Sequence, residues 1–346
     1  MARQFVVRLL VNGVSPAGCH VERFVVEATR YARCGTAEIV LAVEPGGSPW
    51  FLSSGSFVSD IVLDMRDQSE SASSWVSVFR GGVDHVEWHP DRGQMVLECR
   101  DYLARLVDMR VRQSWLNLEG AELVQEVIAA AGLMPDVMLP GGMTGQFWQI
   151  EHKRTAMAAQ NRFQTAFDLV SFLAREAQCD LYMDGLTAVC RPLVLPGDAD
   201  AVVRDVSSGV ILRNIRYDLT ISQGVVVHVA SWDSRQRTRT EIFYDGVSWH
   251  EDMPDTGTAL YSFRVPGRRA EDVRAIALGK YNRIVAHGSG ARVRIPGVVG
   301  MLPRQFLIVE AGGAALSIDA VTSRFSCDGG FIQDVVMRNR ALGAVA

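Results

Sequence analysis

Five side chains able to hold a metal or carry a proton fall within eight positions of this sequence: Asp84, His85, Glu87, His89 and Asp91. They lie in the stretch VFRGGVDHVEWHPDRGQMVLECRDY, residues 78–102. In an extended strand, side chains alternate between faces, so His85, Glu87 and His89 point the same way. Such a row suits zinc or iron, and these three residues are the candidate metal ligands of the chain. The same row equally suits the solvated face of a half-buried hairpin whose other face carries Val86 and Trp88.

The remaining motifs carry little other chemistry. Asp255-Thr256-Gly257-Thr258 resembles the D-T-G of aspartic proteases, where two such carboxylates share one proton. That motif needs an apolar strand leading into it, whereas SWHEDMP is polar and ends in Pro254, so an ordinary Asp-Thr-Gly turn is the reading. The chain has no G-x-S-x-G elbow, no Walker A loop and no H-E-x-x-H. Asp101 and Asp108 stand among Arg100, Arg105 and Arg110 and are expected to form ion pairs with them. No catalytic residue and no cofactor-binding residue is assigned.

The elements that position these residues change period along the chain. Residues 1–105 carry short alternating runs, RFVVEATR, AEIVLAVE, DIVLDMR and SWVSVFRG, punctuated by Gly and Pro: a β-rich domain. GAELVQEVIAAAGL then puts Leu123, Val124, Val127, Ile128 and Ala131 on one helical face, with Gly132 as its stop. TAFDLVSFLAREAQC predicts a second helix, with Thr165 as cap, Asp168 three residues on, and Phe167, Val170, Leu173 and Ala174 facing inward. DLYMDGLTAVCRPL follows as a hairpin turning at Asp184-Gly185. Residues 106–200 therefore form an α/β domain, with part of 233–268 attached. Strands return over 201–232, a third helix spans AEDVRAIALGKYNRIVAH and closes at Gly288, and the tail to residue 346 is again β. The fold class is α+β, mainly β.

The totals agree with a multidomain globular protein: 346 residues, 48% hydrophobic and 21% charged. A net charge of −4 gives no basic footprint for nucleic acid. Only Lys153 and Lys280 are lysines among 35 basic residues; the planar, multi-donor arginine head suits polar interfaces. Six scattered cysteines make neither a disulfide framework nor a zinc motif, and a reducing compartment of assembly is expected. The N-terminal run, broken by Arg8, reads as a strand rather than a signal peptide.

An internal repeat bears on the histidine row. Val83-Asp84-x-Val86, a turn at Gly93, a strand and Arg100-Asp101 match Ile318-Asp319-x-Val321, a turn at Gly329-Gly330, a strand and Arg338-Asn339. His85 and His89 correspond to Ala320 and Arg324. The framework repeats and the candidate ligands do not, which favours a hairpin over a metal site.

The order of these pieces resembles the bacteriophage tail baseplate hub family, which includes the late control proteins. FRGGVDHVEWHPDRGQMVLECRDYLARLVDMRV is similar to the family's G-x-V-D hairpin and R-D-x-x-x-x-L segment. TAFDLVSFLAREAQC resembles its W-D-F-L-x-x-L-A block, with Phe167 in place of Trp. EDVRAIALGKYNR, RIPG and CDGGFIQDVVMRNR match its C-terminal half in order. The motif residues so carried over are Gly82, Val83, Asp84, Arg100, Asp101, Phe167, Asp168, Leu173, Ala174, Gly330, Phe331, Arg338 and Asn339. The resemblance implies two tail-tube-like β-barrel domains, 1–105 and 201–232 with 269–346, around an inserted α/β domain. It also implies a homotrimeric ring that joins a sixfold tail tube or distal tail protein to a threefold central spike, with baseplate wedge proteins as neighbours if the tail contracts. Tape-measure protein and DNA would pass through its lumen without specific binding, as a mildly acidic chain allows. The implied location is the virion tail tip, after assembly in the host cytoplasm. The alternative reading is a tail-associated cell-wall hydrolase or peptidase.

Overall fold

In the computed structural model, residues 3–30, 34–45, 60–69, 74–111, 118–140, 163–233, 237–254, 259–265 and 270–340 are described. The Asp255–Thr258 motif lies outside them. The first six strands are β1 (Phe5–Val11), β2 (Cys19–Thr29), β3 (Thr36–Val43), β4 (Asp60–Asp67), β5 (Val76–His89) and β6 (Gln94–Asp101). They pair antiparallel in the order β1-β4-β5-β6-β3-β2. Their alternating apolar residues meet in one core, including Phe24, Ile39, Leu41, Ile61, Leu63, Met65, Met95 and Leu97. Burying each side chain of this size stabilises the fold by about 1.5–3 kcal/mol relative to exposure. The sheet curls until β1 approaches β2, but no hydrogen-bonded pairing joins these two strands. The expected barrel is therefore a curled, open sheet.

The second β unit contains β16 (Ser289–Pro296), β17 (Phe306–Ile308), β18 (Leu316–Ser326), β19 (Gly330–Arg338), β10 (Val203–Asp205) and β11 (Leu212–Tyr217). It has its own core of Val293, Ile295, Leu307, Ile318, Val321, Val335 and Met337. It is not a separate barrel. β18 pairs antiparallel with β2, so both units belong to one twelve-stranded sheet running from β1 to β11.

The inserted lobe holds α1 (Ala104–Asp108), α2 (Gly120–Ala130), β7 (Met134–Val137), α3 (Ala166–Glu176), β8 (Cys179–Asp184) and β9 (Thr187–Pro192). Its three strands lie in the order β7-β9-β8. Leu123, Val124, Val127 and Ile128 of α2 pack with Phe167, Val170, Leu173 and Ala174 of α3, as their helical spacing predicts. Gly132 takes the left-handed conformation that ends α2. Thr165 caps α3: its Oγ1 accepts from the Asp168 amide (3.1 Å), and Asp168 Oδ2 accepts from the Thr165 amide (3.3 Å). The hairpin turn sits one residue later than expected. Asp184 pairs with Thr187, leaving Gly185-Leu186 as the two-residue loop, with Gly185 at φ +58°.

One grouping differs from expectation. β12 (Val225–Asp233) and α5 (Ala270–Val285), expected in the second barrel, lie in a third lobe with β13 (Thr238–Tyr244), β14 (Trp249–His250), β15 (Ala259–Arg264) and α4 (Leu219–Ser222). β12 runs between antiparallel β13 and parallel β15, and α5 covers the sheet through Val273, Ile276, Ala277 and Tyr281. A strand buried between two neighbours explains the run VVVHVAS, which reads the same in either sheet. Among the described residues no helix is long and apolar enough to cross a membrane.

Candidate functional site

The histidine row is one arm of a hairpin. β5 turns into β6 through a single 3-10 turn, Pro90–Arg92, ended by Gly93 at φ +57°. Glu87 Oε1 and His89 Nε2 lie 3.3 Å apart as a half-exposed pair, while His85 is exposed and Val86 and Trp88 pack toward the core. Among the described residues no group of three His, Cys, Asp or Glu side chains is arranged to hold a metal.

The repeat has a geometric basis. The β5–β6 register shifts between Val83 and His85, and the β18–β19 register shifts between Ile318 and Ala320. Asp84 and Asp319 are thus the extra residues of two β-bulges at the same place in two hairpins. Each bulge inverts the parity of its strand. Phe79 packs inward before Asp84 and Val86 after it; Ile318 packs inward before Asp319 and Val321 after it. Each aspartate also meets the arginine at the far end of its partner strand. Arg100 Nη2 donates to Asp84 Oδ1 at 3.0 Å, and Arg338 Nε lies 2.9 Å from Asp319 Oδ2.

The copies differ in burial. The first pair faces solvent, and Arg100 extends it to Asp108 (3.0 Å). In the second copy the Asp319 side chain is 2% exposed and also accepts from Arg340 Nη2 (2.8 Å). Arg30, the residue after β2, stands 3.9 Å from Asp319 and 3.1 Å from Asp180 of the inserted lobe, and Arg304 lies 3.7 Å from Asp180. One buried charge cluster therefore ties the first unit, the second unit and the inserted lobe together. Burial pushes the Asp319 carboxyl up to about 6 against the opposing pull of Arg338 and Arg30. Burial likewise brings Arg304 and Arg340 down to about 10.

Other motif residues are structural in different ways. Asp101 does not form the expected simple ion pair: its carboxylate accepts from the amides of Gly35 (2.6 Å) and Leu103 (2.9 Å), and burial pushes it up to about 6. Arg105 donates to the Gly132 carbonyl (3.0 Å) rather than to a carboxylate. Gly82 has open space around it; Gly81 is the crowded position, where a Cβ would sit 2.1 Å from the Arg100 carbonyl oxygen. Gly330 turns at φ +73°, and Phe331 enters the core of the first unit, 5.2 Å edge-on from Phe5. The Asn339 amide donates to Ser289 (3.1 Å). Sequence reading missed Arg30, Asp180 and Arg304. The near-exclusive use of arginine was the only signal of such a cluster.

No protein-family model and no curated protein matches this chain. Solved structures do. A tail protein from Neisseria meningitidis MC58 aligns with TM-score 0.66 and 11% identity over 98% of this chain and 97% of that one. The 43 kDa tail protein of prophage MuSo2 from Shewanella oneidensis aligns with TM-score 0.64 and 12% identity over 96% and 98%. The chain has the fold of phage tail proteins. The E. coli c3393 protein, a type VI secretion component described as similar to T4 tail proteins gp27 and gp5, shares this tail fold. It aligns with TM-score 0.57 and 10% identity over 95% of this chain and 76% of that one.

Proposed function

We propose that this chain is the structural baseplate hub of a phage tail, a homotrimeric ring that adapts a sixfold tail tube to a threefold spike. One observation carries the reading: two copies of an Asp-bulge hairpin lie in one continuous sheet, joined by β2 and β18. Three such chains in a ring present six similar hairpin units, so one face can meet sixfold symmetry while the ring itself keeps threefold symmetry. The tail-protein fold supports a structural component rather than a catalyst. In this role the ring contacts the tube or distal tail protein, the spike and any wedge proteins. Its lumen passes the tape-measure protein and DNA at the virion's tail tip.

The sheet also offers a way to close such a ring. Among the described strands, β11 pairs only with β16, so its other edge is open. Around it Ile211, Leu212, Tyr217 and Leu219 are exposed, Leu212 by 62% and Tyr217 by 67%. An open strand edge invites pairing with another chain, although β11 carries exposed Arg213 and Arg216 beside its apolar residues, and a head-to-tail contact repeated three times closes. The test is native mass spectrometry of the full chain, alone and with its spike. A species at three times the 38.0 kDa chain mass is expected. A chain that stays monomeric even with its spike overturns the hub.

A further inference from the structure

The buried charge cluster opens on one side into a cavity of ≈550 Å³ between the inserted lobe, the third lobe and the residues flanking the sheet. This size lies in the range of small-molecule sites. Its wall is divided by chemistry. Phe167, Leu181, Leu193 and Leu195 supply apolar surface, while among the described lining residues Arg30, Arg175, Arg283 and Arg340 supply four cations against one carboxylate, that of Asp180. Asp319 lies behind Arg340, and Glu176 lies near Arg283.

Arg30 is the most constrained of the four, with a side chain 4% exposed. Its Nη1 donates to Ser317 Oγ (3.2 Å), its Nη2 stands 3.1 Å from Asp180, and Nε and Nη2 are both enclosed by protein rather than open to the cavity. Arg30 therefore acts on the cavity as a fixed positive charge behind its wall, and an anionic head is drawn toward it while Arg175 and Arg283 supply further positive charge on the lining. Arg283 is held below its ordinary range by burial and by the neighbouring Arg175, a second place where negative charge is favoured.

We propose that this cavity binds a small amphiphile, an anionic carboxylate or phosphate-monoester head on an apolar chain. The head meets the arginines and the chain lies against Phe167, Leu193 and Leu195. The inference does not depend on the hub reading, because every lining residue belongs to one chain.

Isothermal titration of the full chain with decanoate, decyl phosphate, decanol and inorganic phosphate tests it. One or both amphiphilic anions are expected to bind one per chain, and which of them binds more tightly identifies the head. Decanol and inorganic phosphate are expected to bind at least tenfold more weakly. Arg175→Gln with Arg283→Gln should weaken the anions about tenfold and leave decanol unchanged. Leu193→Trp keeps every arginine but fills the cavity, and should abolish binding with the thermal midpoint retained. Equal binding of decanol and decanoate, equal binding of inorganic phosphate, no anion binding at millimolar concentration, or full binding by Leu193→Trp would each overturn the proposal.

Discussion

Two aspartates at equivalent bulges give an internal control on what burial does to an ion pair. Asp84 and Arg100 are each about a third exposed, whereas Asp319 is buried among Arg338, Arg340 and Arg30. An exposed pair contributes about 0–1 kcal/mol, because water already solvates both charges. Removing one partner of a buried pair costs about 3–5 kcal/mol, because the remaining charge stays desolvated. At pH 7, Asp319→Ala should therefore lower unfolding stability by about 3–5 kcal/mol, and Asp84→Ala by no more than about 1 kcal/mol, as read from urea denaturation. Similar losses would mean that the two pairs are not solvated differently. Asp101 gives a pH-dependent counterpart. Its folded pKa of about 6 lies above the ordinary value of 3.8, because burial outweighs the Gly35 and Leu103 amides. A group raised in this way contributes stability that is full below about pH 4 and lost as pH rises through about 6. Wild type minus Asp101→Asn should therefore fall by about 2 kcal/mol between pH 4 and pH 7. A difference that is flat or rises over that window would contradict it.

At the scale of elements, legibility followed locality. α2 and α3 were readable because the signals of each are local: a 3.6-residue apolar period in both, a Gly132 stop beside α2 and a Thr165–Asp168 capping box at the start of α3. The hairpin at residues 179–192 was readable too, with its turn displaced by one residue because Asp184 is still a paired strand position. The bulges were visible only as a repeat. Sequence alone gave Val83-Asp84-x-Val86 and Ile318-Asp319-x-Val321, but the inverted strand parity needs the register. Long-range pairing was not legible at all. VVVHVAS reads as a buried strand in any sheet, and only the parallel ladder of β12 with β15 assigns it to the third lobe. Phe331 shows the same limit: it starts the second hairpin's return strand yet packs into the first unit's core, beside Phe5 and Phe24. Gly297 makes room for it, since a Cβ there would sit 1.9 Å from the Phe331 ring. Phe331→Ala should cost about 3–5 kcal/mol, the range for a large buried aromatic. It should also lower protection of β1 amides in hydrogen exchange, although β1 is more than 300 residues away in sequence. Unchanged exchange in β1 would mean that Phe331 does not stitch the two units.

For the whole molecule, the sheet's two ends decide whether the doubled hairpin becomes a ring. β2–β18 pairing already joins two units inside one chain, so only one contact type between chains is needed to close the circle. The open edge at β11 is the place where the hub reading puts that contact, because its exposed Leu212 and Tyr217 have no counterpart in the chain's own cores. β11 already carries Arg213 and Arg216, and further charge at its two exposed apolar positions opposes strand addition more strongly, since pairing would strip water from it. Leu212→Lys with Tyr217→Glu should therefore leave the monomer's circular dichroism and thermal midpoint nearly unchanged, because neither side chain is buried in the isolated chain. The same variant should lose the trimer in native mass spectrometry at concentrations where wild type assembles. A variant that still forms trimers would move the contact away from β11 while leaving the hub intact. A wild type that forms dimers or open chains through this edge would remove the ring itself, because a head-to-tail contact that does not close at three cannot meet a threefold spike.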